Sequence, residues 1–170
     1  MWRCKCQCTP RAQLICRTLA FPPHSESLLA PFPRVPHEDL FIAWLAAGPE
    51  AVISHDSALA LYELSDALPA HIHISIPRTA SRRRPGYRLH TSHITPAEIT
   101  HYSGLQVTTV ARTIVDIAFN GLADDLVIQT VQEAVARGLA APEQLLAAAA
   151  KRGPAVERLI QRALAGVAKP

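Results

Sequence analysis

The most constraining feature of this chain is a change of apolar period within one stretch, AVISHDSALALYELSDALPAHIHISIP, residues 51–77. Ala58, Leu59, Leu61, Tyr62 and Leu64 recur as they would on one broad face of a helix. From His71 the period becomes 2: Ile72, Ile74 and Ile76 face one way, His71, His73 and Ser75 the other. The pattern predicts a short strand, a helix, a turn and a second strand. Ser54 takes the N-cap position, where its hydroxyl can accept from a first-turn amide, and Asp56 adds favourable negative charge there. Ser65-Asp66 ends the helix and Pro69 blocks its continuation. The three-isoleucine face needs a cover. The predicted class is α+β, a small mixed β-sheet packed against several α-helices, with a helical C-terminal third.

Composition says what the cover is made of. Hydrophobic residues reach 49% while aromatics are only 5%, so the core is Leu, Ile, Val and Ala. At 170 residues the chain suits one domain with an extra arm. No apolar run approaches about 18 residues, which excludes a membrane partner through a spanning helix. A formal charge of +3 and an isoelectric point near 8.8 permit a nucleic-acid partner without requiring one. Cys4, Cys6, Cys8 and Cys16 crowd into the first sixteen residues, unlike a disulfide framework spread through a core, so a reducing, cytoplasmic setting is expected. Arg3, Lys5 and Arg11 interrupt the N-terminus, which does not read as a secretory signal.

Residues 1–35 read as an irregular Cys/Pro-rich leader and residues 36–170 as the folded domain. FPPHSESLLAPFPRVP carries five prolines in sixteen residues, the composition of an extended arm. Cys4-x-Cys6-x-Cys8 lacks the second, distant ligand pair of the usual zinc spacing. A helix is predicted from Pro36, with Leu40, Phe41, Trp44 and Leu45 as its buried stripe and Gly48-Pro49 as its stop. Arg78, Arg82, Arg83, Arg84 and Arg88 fall around a Pro85-Gly86 turn signal, and Tyr87–Thr91 alternates as a returning strand. These arginines are the candidate surface for a partner or for nucleic acid, since guanidinium groups suit phosphate contacts.

Thr95-Pro96-Ala97-Glu98 matches a capping box with proline at N1. Gly104–Val107 reads as a short strand, and Thr108 or Thr109 caps a helix running to about Phe119. Arg112 and Asp116 share one face of it at i, i+4. A structural role is expected there, with Arg112 reaching into the sheet toward carbonyls and Asp116 orienting it. The last third reads as three helices, beginning at Asp124-Asp125, at Pro142 and after Gly153-Pro154. Leu126, Val127, Val131, Ala134 and Val135 form the apolar side of the first of these.

No GxSxG, Walker loop, GxGxxG or HExxH occurs, so no catalytic residue and no cofactor are assigned. Ser54-His55-Asp56 has triad residue types, but neighbours at a helix start diverge, and a triad needs convergence. His71, His73 and His90 are weighed as a metal set. With no Cys or Asp to complete it, they are read as the polar outer face of the sheet and no metal is assigned.

The order of these pieces resembles the AbiEi-type antitoxin and transcriptional-regulator family of type IV toxin–antitoxin systems. Three clusters carry the likeness: Ser54, His55, Ser57, Ala58 and Leu59; Ile74 to Pro77; and Gly104, Leu105, Val107, Thr108, Arg112, Thr113 and Asp116. It covers roughly residues 36–140. The resemblance implies a cytoplasmic, non-enzymatic antitoxin of a phage-defence (abortive infection) system. Its functional partner would be a nucleotidyltransferase-like toxin, without a stable complex being required. It also implies autoregulation through operator DNA, for which the family uses an N-terminal winged helix-turn-helix. Residues 1–35 show no such pattern, so the chain matches the family's C-terminal, antitoxic domain. The alternatives are a DNA-binding autoregulator working through the arginine loop, or a truncated remnant without function.

Overall fold

The computed structural model describes residues 37–64, 69–77 and 86–167. The leader, Pro36, Ser65-Asp66 and the arginines Arg78, Arg82, Arg83 and Arg84 lie outside the described residues. Among the described residues the chain is α+β. Its elements are α1 (Glu38–Ala47), β1 (Val52–Ile53), α2 (His55–Leu61), β2 (Ile72–Ile76) and β3 (Tyr87–Thr91). A 3-10 turn at Pro96–Glu98 follows, then β4 (Ile99–Tyr102), β5 (Leu105–Thr108) and α3 (Val110–Phe119). The helical third comprises α4 (Asp124–Ala136), α5 (Pro142–Ala150) and α6 (Pro154–Val167).

The five strands form one mixed sheet in the order β3-β2-β1-β5-β4. β1 pairs antiparallel with β2 and parallel with β5, and β4 pairs antiparallel with β5. β3 does not return against β2. The two run parallel, with Ile72 opposite Tyr87 and Ile76 opposite Thr91. Alternation fixes which residues of a strand face the core but not its direction, so the pattern at Tyr87–Thr91 fits either pairing.

Ile53, Ile74 and Val107 form a row across the three central strands, each with no exposed surface. They join one aliphatic core with Ile114 and Val115 of α3, Val127 and Val131 of α4, Leu145 of α5 and Ile160 of α6. Each such side chain stabilises the fold by about 1.5–3 kcal/mol. α3 is the central helix, packed against α2, α4, α5 and α6.

The stripe of α1 differs from the expected one. Leu40 and Ala43 are buried and Phe41 and Trp44 pack against the core, but Leu45 is 70% exposed. Ala43 takes the inner position, and Trp44 Nε1 donates to the Ala51 carbonyl at 2.7 Å, clamping the chain beyond the Gly48 turn. This rotates Leu45 outward. Leu126 of α4 is likewise exposed, while Thr130 takes a buried position, its hydroxyl donating to the Leu126 carbonyl at 2.8 Å.

β4 has no counterpart among the expected strands. It joins β5 through Ser103-Gly104, both with positive φ (49° and 87°), and Tyr102 faces Leu105. A two-residue turn with two positive φ values is the type that matches strand twist, and glycine accepts that backbone without a Cβ penalty.

Candidate functional site

The polar residues of the first motif converge where β1 turns into α2. Ser54 is the N-cap residue but makes no side-chain capping bond. Its hydroxyl instead accepts from the Ser75 hydroxyl at 2.8 Å and contacts His55 Nδ1 at 2.9 Å. The backbone amide of Ser54 donates to the His73 carbonyl. One residue pair further along, the His73 amide donates to the Ser57 hydroxyl at 2.8 Å. α2 is thereby stitched to β2 through two hydroxyls, and the capping function expected of Ser54 is displaced by the strand beside it.

His73 and Ser75 are not on an outer face. Both are buried, as are Ile74 and Ile76 on the alternate positions, so β2 is covered on both sides. His71 alone of that set is exposed and lies before the strand. Three histidines from three segments meet here: His55 at the start of α2, His73 on β2 and His90 on β3. One ring nitrogen of each lies within 4.8 Å of the other two. His90 Nε2 is 3.3 Å from His73 Nδ1, and the His55 and His90 rings stack with centroids 3.6 Å apart. His55 reaches this position through a left-handed backbone, φ 54°, a conformation that costs a non-glycine residue roughly 1–2 kcal/mol.

The cluster is held neutral. Burial pushes His55 down from 6.5 to about 3, with His90, His73, Arg152 and Arg112 adding to the shift. Burial likewise lowers His90 to about 4, helped by His73 and Arg88. His73 is lowered by burial, against the pull of the Asp56 carboxylate, whose Oδ2 is 3.4 Å from His73 Nδ1. Asp56 thus turns to His73 and not to His55. Ser54 is fully buried as well, so Ser54, His55 and Asp56 do not align as a relay to an accessible hydroxyl.

The second motif builds a different polar centre. Arg112 of α3 is buried and its Nε donates to both carboxylate oxygens of Asp116. Its terminal nitrogens reach Ser92 Oγ at 2.8 Å and Glu98 Oε2 at 3.1 Å. Among the described residues the expected bonds to sheet carbonyls are not made: a hydroxyl and a carboxylate on the chain between β3 and β4 take their place. Arg152, on the turn between α5 and α6, pairs with Asp116 from the other side. Nothing in the local spacing marks Arg152 as a partner, because it lies 36 residues away. Burial pushes the Asp116 carboxyl upward, and the two guanidinium groups oppose that shift. Burial also opposes ionisation of Glu98, but the Thr95 amide and hydroxyl and Arg112 outweigh it and hold this carboxyl below its ordinary value. The Thr95 amide donates to Glu98 Oε2 at 3.0 Å, the bond the capping-box spacing predicts.

Thr113 completes this centre. Its hydroxyl lies 2.8 Å from Thr108 Oγ1 and donates to the Thr109 carbonyl at 3.0 Å, fastening the start of α3 to the end of β5. Of the arginine surface, only Arg88 falls among the described residues. It is exposed on β3, the edge strand of the sheet. Among the described residues, no helix is long and apolar enough to cross a membrane. No protein-family model matches the chain, and no curated protein matches it.

Proposed function

We propose that this chain is an antitoxin-like regulatory protein of a type IV toxin–antitoxin system, counteracting a nucleotidyltransferase-like toxin without catalysis in the cytoplasm. The reading rests on the likeness of the three motif clusters to the AbiEi-type family, and one observation supports its non-catalytic part. The motif residues Ser54, Ser57, Arg112, Thr113 and Asp116 are all buried, and their polar atoms bond to other parts of the fold. Residues used in this way specify a scaffold, and recognition then belongs to the surface. The surface we assign is the arginine segment leading into the edge strand: Arg78, Arg82, Arg83, Arg84 and Arg88.

The test is growth rescue. Cells expressing a candidate cognate nucleotidyltransferase-like toxin are co-transformed with the wild type or with Arg82, Arg83 and Arg84 replaced by Ala. Rescue by the wild type and its weakening in the triple variant support the proposal. Failure of the wild type to rescue overturns it, and undiminished rescue by the variant removes the arginines from the mechanism. The run of five arginines within residues 78–88 also favours a second reading, a DNA-binding autoregulator. That reading requires operator binding that falls steeply with salt and exceeds binding to random duplex.

A further inference from the structure

We propose that His55, His73 and His90 form a binding site for a first-row divalent transition-metal ion of the zinc class. The proposal departs from the expectation of an outer polar face, and it stands independently of the antitoxin reading.

The geometry carries it. Three imidazoles from three separate segments place ring nitrogens within 4.8 Å of one another. A tetrahedral ion with metal–nitrogen bonds of about 2.0–2.1 Å needs ligand atoms roughly 3.3–3.4 Å apart. His73 Nδ1 and His90 Nε2 are already separated by 3.3 Å. They sit on adjacent parallel strands in which His90 is opposite Ser75, two residues beyond His73, so the register itself presents the pair.

The surroundings match what such ligands need. An imidazole that binds a metal through one nitrogen is oriented by a hydrogen bond at the other. His55 Nδ1 has that contact with Ser54 Oγ, which leaves its Nε2 for the ion. The Ser54 oxygen is itself fixed by the Ser75 hydroxyl. Asp56 brings a carboxylate beside His73 and offsets part of the ion's charge. Opposing charges are present but muted. Arg112 and Arg152, which act on His55, are paired with Asp116 and Glu98. Arg88, which acts on His73 and His90, is exposed to screening solvent.

The donor set selects the class of ion. Imidazole nitrogens suit Zn, Co, Ni and Cu(II), whereas Mg and Ca prefer oxygen and Cu(I) prefers sulfur. One adjustment is required. The His55 and His90 rings are 13° from parallel, so their lone pairs do not converge until one ring tips. The terminal ring torsion of histidine is broad and permits this.

The test uses the full chain with Cys4, Cys6, Cys8 and Cys16 changed to Ser, so that thiolates do not compete. Chelator-treated protein is titrated with Zn2+ by calorimetry and with Co2+ by visible absorption. The expected result is one equivalent bound, with the d–d bands of a nitrogen- and oxygen-ligated Co2+ ion. His90→Gln weakens binding by more than about 100-fold, and Ser54→Ala, which removes the orienting contact without removing a ligand, by about 10-fold. Exposed His71→Gln leaves binding unchanged. Circular dichroism of each variant separates lost ligation from lost folding, and His73→Gln serves as the second ligand variant. Absence of stoichiometric binding by the parent, or binding undiminished in both folded ligand variants, overturns the site. The three rings would then be a hydrogen-bonded neutral cluster.

Discussion

Arg112 Nε sits between the two carboxylate oxygens of Asp116, 3.0 Å from one and 2.9 Å from the other. The carboxylate has no exposed surface and receives Arg152 as well. This ion triad ties α3 to the α5–α6 turn and, through Glu98, to the start of β4.

Removing its centre is expected to be costly. Asp116→Ala leaves Arg112 and Arg152 without their shared anion, a loss of about 3–5 kcal/mol. Arg152→Ala removes the more exposed arm and keeps the Arg112 pair, for a loss of about 1.5 kcal/mol. Urea denaturation of the two variants checks the order. Equal losses would mean that the triad does not act as a buried centre.

Ser57→Ala deletes a single oxygen and strands the buried His73 amide. The expected loss is about 1–3 kcal/mol, with the urea dependence of unfolding unchanged because the exposed area barely alters. Hydrogen exchange at the His73 amide gives an independent reading, since loss of its acceptor should raise its exchange rate above that of Ile74.

Acid should destabilise the metal-free protein in a defined window. Unfolded histidines take up protons from about pH 6.5 downward, whereas His55 and His90 in the fold resist protonation until about 3 and about 4. Between these limits the unfolded state binds more protons, so unfolding free energy falls as pH falls. At pH 5 one such histidine lowers stability by about 2 kcal/mol relative to neutral pH. Denaturation at pH 7.5 and 5 in the presence of chelator should show this. The His90→Gln variant should show a smaller difference, and an equal one would place the acid sensitivity elsewhere.

The outward side of α1 should tolerate charge. Leu45→Lys is expected to change stability by less than about 0.5 kcal/mol, while Leu40→Ala costs about 2–5 kcal/mol. A large loss from the lysine variant, read from thermal melts, would contradict the placement of Leu45 in solvent.

Much of this fold was legible because period and punctuation are local. HIHISIP, the Thr95–Glu98 box and the Pro142 start of α5 are found where the spacing places them, while α6 begins one residue earlier than expected, at Pro154 itself. What escaped depends on distance along the chain. The pairing direction of β3, the outward turn of Leu45 and the Arg152 partner of Asp116 are set by tertiary packing. β4 was a missed local signal: Ser103-Gly104 between Ile99–Tyr102 and Leu105–Thr108 is a hairpin turn, but Ser-Gly announces it less plainly than Asn-Gly. The histidine cluster shows the mixture. Alternation correctly put His73 opposite the isoleucines, but only the sheet register could bring His90 beside it, and only a left-handed residue could fold His55 back onto both.

The shared direction of β2 and β3 sets a minimum length for the segment that joins them. A five-residue strand is about 17 Å long, and an extended chain covers at most about 3.6 Å per residue. The link from Pro77 to Gly86 therefore cannot shrink below about five residues without unzipping the sheet edge. It can lengthen freely, at about 0.6 kcal/mol per doubling. Serial deletion here should be tolerated and then fail abruptly, so the length of the arginine-bearing link is bounded from below by strand length and hardly at all from above.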